Sequence, residues 1–101
     1  MKKKWIGLVE VEPLPGSDIL EGALGAFVQV VALSNRKSDF LRSIDLIMRE
    51  YGLSVIEVTD VELISERLKS RFIAQDLMAL ADTLSDSSPI LLDEIHTYLD
   101  Y

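Results

Sequence analysis

The sequence predicts an α+β fold, a two-layer sandwich in which a mostly antiparallel sheet of four strands carries two main helices on one face. Three observations predict it. Residues 5–12, 26–33 and 53–59 have strand composition, and 95–101 offers a fourth such segment. Residues 38–51 and 71–84 repeat apolar side chains at helical spacing. The chain of 101 residues is long enough for one core and too short for two, so 1–101 reads as a single α+β domain.

In the first segment Val9 and Val11 oppose Glu10 and Glu12, the alternation of a strand with one wet face. Pro13 and Pro15-Gly16 end it, since proline lacks a ladder donor and Pro-Gly suits a turn. The connection 13–25 has room for one short helical turn around 18–23. Residues 26–33 contain a single polar side chain, Gln29, so this strand should be covered on both faces and central.

Helix signals follow at once. Ser38 is a suitable N-cap, Asp39 suits the positive end of the helix dipole, Arg49 falls in the last turn, and Gly52 stands where a left-handed C′ residue belongs. Phe40, Ile44, Ile47, Met48 and Tyr51 make one apolar stripe. With the strand at 53–59 this completes a β-α-β unit over 26–59, a crossover that is right-handed in nearly all known cases.

Thr59-Asp-Val-Glu62 fits a capping box and predicts a short helix over 61–69. The stripe Val61, Ile64, Leu68 is out of phase with Ile73, Leu77, Leu80, Leu84, which places a break near Ser70 before the second main helix. Residues 85–89 read as a loop. For the end of the chain two patterns compete: Leu91, Leu92, Ile95 and Leu99 recur helically, whereas Ile95, Thr97, Leu99 and Tyr101 alternate. The β-branched and aromatic residues favour the strand.

Hydrophobic residues at 49 % and charged residues at 27 % are the composition of a globular chain. There is no cysteine, which excludes a disulfide framework, a thiolate metal site and a thiol nucleophile. Lys2 to Lys4 opens like a signal peptide, but Glu10 and Glu12 cut the apolar run and no small-residue cleavage site follows. No stretch approaches the roughly 18 apolar residues of a membrane span. The expectation is a soluble, cytoplasmic protein that engages no membrane.

Charge is unevenly distributed. All ten lysines and arginines fall within residues 1–71, together with eleven acids, while residues 72–101 carry Asp76, Asp82, Asp86, Asp93, Glu94 and Asp100 unaccompanied by any base. A net charge of −7 argues against nucleic acid and for a basic partner. Asp86, Asp93, Glu94, His96 and Asp100 are the candidate interaction surface. Arg67, Lys69 and Arg71 are the candidate contact to a second copy, pairing with its acidic stretch. Local salt bridges to Glu62 and Glu66 compete for the same bases.

Catalytic chemistry finds little support. His96 is the only histidine, and its carboxylate neighbours lack the regular spacing of a metal site; an ordinary surface residue is the better reading. Glu10 and Glu12 share a strand face as an acid and base pair would, and equally as a solvent face does. No serine sits in Gly-x-Ser-x-Gly or in a Ser-x-x-Lys setting suited to an active site, and no phosphate-cradling glycine motif occurs. Asn35, Arg36 and Lys37 before the first helix read as a solvated loop. No cofactor is implied, and the chain leans away from being an enzyme.

The layer architecture resembles the ferredoxin-like fold, although strand, strand, helix, strand, helix, strand departs from its usual order and implies a permuted variant. That label carries no function. The composition and the acidic stretch point to a non-enzymatic interaction or regulatory module working with a protein partner or a second copy, an inhibitor or immunity-type binder among the forms it could take. The alternative is a small-ligand sensor or minor enzyme with a pocket between sheet and helices or at a dimer interface.

Overall fold

The computed structural model describes residues 2–99, so Asp100 of the acidic stretch lies outside the described residues. The elements are β1 (Lys3–Pro13), β2 (Gly25–Ser34), α1 (Lys37–Glu50), β3 (Leu53–Leu63), α2 (Ile64–Ser70), α3 (Gln75–Asp82) and β4 (Ile90–Tyr98). The strands form one antiparallel sheet in the order β3-β1-β2-β4. The class is therefore α+β, with β2 central as its apolar run implies. Because β2 and β3 both run antiparallel to β1, they are parallel to each other, and α1 carries the chain across the intervening strand.

α1 closes one face of the sheet. Phe40, Ile44 and Met48, four residues apart, are buried against Val9, Val11, Val28, Val30 and Ala32, which alternate onto that face of β1 and β2. Phe40 also stacks on Trp5, with ring centroids 6.2 Å apart. Its ring lies over Gly7, where a Cβ would stand 3.3 Å from Phe40 Cε2. The helix stops as its sequence requires: Gly52 takes φ +78° and donates its N–H to the carbonyl of Arg49. Its start lies two residues earlier than the N-cap signal implied. Arg36 occupies that place without a side-chain cap, and Ser38 falls inside the first turn.

The other face belongs to α2 and α3, and here the expectation of both main helices on one face is corrected. Leu77 and Ala81 of α3, with Ile64 and Ile73, pack on Ile6 and Val31, whose side chains alternate away from α1. Strand alternation assigns Ile6 and Val9 to opposite faces, so the two helical layers cannot meet. Helical periodicity identifies the apolar stripe of each helix but not the sheet face that receives it.

Three boundaries move for identifiable reasons. The capping box at Thr59 does not form, because Thr59 and Glu62 remain in β3, paired with Leu8 and Ile6 of β1. The ladder absorbs an extra residue there by a bulge, with Asp60 at φ +54°. Glu62 consequently turns to arginines instead of to a helix end. α3 is shorter than 71–84, since Arg71 is extended and Ala74 stands at the N-cap; Ile73, Leu77, Leu80 and Leu84 still line the second cluster. β4 is the strand that its β-branched residues favoured, beginning earlier at Ile90. The connection between β1 and β2 holds hydrogen-bonded turns at 14–17, 18–21 and 20–23 in place of a helical turn.

Gly25 is a packing requirement. A Cβ there would run into the Tyr98 hydroxyl and stand 2.8 Å from the Val11 carbonyl oxygen, because the Tyr98 ring crosses the glycine to reach Phe27 and Glu10. We expect Gly25→Ala to lower stability by about 1–3 kcal/mol through overpacking, and Phe40→Ala by about 3–5 kcal/mol through loss of a core ring. Urea midpoints at unchanged slope measure both. A Gly25→Ala midpoint equal to that of the native chain would refute the placement of Tyr98.

Candidate functional site: a charged cleft beside an uncovered sheet face

Arg67 is the key to this region. It lies on α2, three residues after Ile64, so helical spacing turns both onto the face packed against the sheet. Its residue exposure is only 5 %, and among the described residues no other charged side chain is buried. A buried guanidinium demands partners. Nε donates to Glu62 Oε1 at 2.6 Å, and Nη2 donates to the carbonyl oxygen of Asp60, the residue that the bulge holds at positive φ. Arg71 adds a second cation, with Nη2 donating to Glu62 Oε1 at 3.2 Å and lying 3.8 Å from Asp60 Oδ1. The Arg67 hydrogen bond holds the Glu62 carboxyl below the usual carboxylate range against the opposing effect of its partial burial, and Arg71 reinforces the lowering.

Beside this cluster is a cleft of about 260 Å³ lined by Gln29, Arg67, Arg71, Phe72, Ile73, Ala74, Leu77 and Asp93. The extended segment 71–74 forms one side, and β2 with β4 the other. Gln29 Oε1 is buried and has no hydrogen-bond partner among the described residues. A bulge in β4 sets Asp93 and Glu94 opposite the single residue Gln29, since Val28 pairs with Ile95 while Val30 pairs with Leu92. Regular alternation would direct Asp93 away from the face of His96. The bulge overrides it and brings Asp93 to the cleft.

Beyond the cleft the second face is uncovered. α3 reaches only the end of the sheet near Ile6, Val31 and Leu91. The next full row, Glu57, Glu10, Phe27 and His96, crosses all four strands with Phe27 40 % exposed and His96 and Glu57 exposed. Tyr98 donates to Glu10 Oε2 at 2.7 Å and packs on Phe27.

The residues singled out in the sequence divide accordingly. Arg67, Arg71 and Asp93 converge on the cleft, while Glu94 and His96 belong to the uncovered face nearby. Asp86 does not join them: it sits in the turn before β4 and pairs with Lys2 at 3.3 Å, at the opposite end of that strand from Tyr98. Lys4 lies 3.8 Å from Asp82, so the basic terminus is partly engaged by the acidic stretch. Lys69 faces outward and pairs with Glu66. Each base of the candidate dimer contact thus has a carboxylate within its own chain. Among the described residues no group of three or more histidine, aspartate or glutamate side chains could hold a metal ion, and no helix is long and apolar enough to cross a membrane. Gln29 and Phe72 are among the cleft residues that sequence reasoning did not single out as site residues. Gln29 carried a signal, as the one polar residue of a strand covered on both faces; Phe72 carried none.

Because the Glu62 carboxyl titrates lower folded than unfolded, it contributes stability that is present above its unfolded pKa and lost as pH falls through the folded one. Following the Glu62 carboxyl by NMR should show a midpoint below the ordinary glutamate value, returning toward that value in Arg67→Met. An unshifted midpoint in the native chain would contradict the pairing.

No protein-family model, curated protein or solved structure shows a significant match to this chain.

Proposed function

We propose that this chain is a non-enzymatic protein-interaction module whose uncovered sheet face receives a partner protein with a basic surface. One observation supports this reading above others, the row of Glu57, Glu10, Phe27 and His96 across the full width of the sheet. Glu57 and Glu10 are directly opposed across β3 and β1, an arrangement that costs stability when like charges face each other. A partner's lysine or arginine would relieve that cost while Phe27 supplies apolar contact. The row therefore combines an aromatic anchor with charge that selects and steers its partner.

An inhibitor or immunity-type role is the specific form in which such a surface occludes a basic site on its target.

Capture from a native lysate on the immobilised full chain tests the reading when run beside Phe27→Ser and the double variant Glu10→Gln, Glu57→Gln. We expect a protein that the native chain retains at low salt, releases at higher salt, and binds at least about tenfold more weakly in both variants. A retained set that both variants leave unchanged would refute the assigned face. Recovery of the chain alone would replace the basic partner with self-association.

A further inference from the structure

We infer that the cleft between segment 71–74 and the β4 bulge binds a small zwitterion of the α-amino-acid class. Its walls carry opposite charges. On one side stand the guanidinium groups of Arg67 and Arg71, and on the other Asp93, beside Gln29. A ligand that was only an anion would set its charge against Asp93. A ligand that was only a cation would face both arginines. One that carries a carboxylate and an ammonium a few ångströms apart satisfies both walls.

The arginines are prepared for this task to different degrees. Arg67 is fixed through Nε and Nη2 by Glu62 and the Asp60 carbonyl, so it contributes a rigid positive floor. Arg71 has a side chain 51 % exposed and makes its carboxylate contacts in the chain through Nη2, so the other edge of its guanidinium, at Nη1, is left to donate to a ligand carboxylate. The ammonium group would then pair with Asp93. Ile73 and Leu77 provide an apolar surface for the ligand's side chain, and Phe72, 86 % exposed at the rim, would bury apolar area when a ligand fills the cleft.

Size supports the same class. At about 260 Å³ the cleft is below the roughly 300–1,000 Å³ of sites for drug-sized ligands, which suits a ligand as small as an amino acid. This inference stands apart from the docking face, since none of its lining residues belongs to the Glu57, Glu10, Phe27, His96 row.

Thermal-shift measurements on the full chain with each common L-amino acid at saturating concentration, followed by calorimetric titration of any hit, test it. We expect at least one amino acid to raise Tm by several degrees. Its carboxamide and its deaminated acid should each bind at least about tenfold more weakly, and so should the amino acid to Asp93→Asn and to Arg71→Gln. The inference is overturned if no amino acid shifts Tm, if the deaminated acid binds as tightly as the amino acid, or if Asp93→Asn retains native affinity.

Discussion

The buried guanidinium of Arg67 is the constraint on which the second half of the fold depends. An ion removed from water must recover its hydration energy from partners close at hand, and losing one partner of such a pair is more damaging than never having made it. Here the partners come from a few residues upstream: the Glu62 carboxylate and the Asp60 carbonyl. Asp60 can offer that carbonyl because the bulge in β3 holds it at φ +54°, a conformation that aspartate tolerates better than most residues. Bulge, strand end and helix start are therefore one unit. It is this unit that turns α2 onto the face of Ile6 and Val31, away from α1.

Unequal coverage of the two faces follows. α1 is a helix of 14 residues whose stripe lies along the sheet, and the face beneath it is correspondingly apolar, from Val9 and Val11 to Ala32. α2 and α3, of 7 and 8 residues, cover less. Their cluster is confined to the end near Ile6 and Val31, and past Leu77 the sheet emerges with Gln29, then Phe27, Glu10 and His96. Where the helical layer stops, a cleft forms; farther out, the strands present a flat face of mixed character. Both features thus originate in the same shortage of helix on one side of the sheet.

Much of this was legible in the sequence where the pattern is local. Gly52 takes the left-handed conformation expected of a C′ glycine, and Phe40, Ile44 and Met48 form the buried stripe their spacing implied. The central position of β2 followed from its run of apolar residues. Other features depend on partners that are distant in sequence. Thr59-Asp-Val-Glu62 satisfies the capping pattern, but the ladder to β1 competes for the same residues and wins by absorbing the mismatch at Asp60. Asp93 reaches the cleft only because a bulge reverses the regular alternation counted from His96. Periodicity says nothing about which face a helix will choose, so the separation of α1 from α3 was not legible at all. The acidic stretch, prominent in composition, is distributed by the fold among α3, a turn paired with Lys2 and the β4 bulge.

Hydrogen exchange on Arg67→Met addresses the governing role of this junction most directly. If the guanidinium fixes how the chain leaves β3, amides of residues 62–84 should lose protection together while those of β1, β2 and α1 keep theirs, as expected for a cooperative unit that opens without global unfolding. Unchanged protection over 62–84, or an equal loss throughout the molecule, would contradict it.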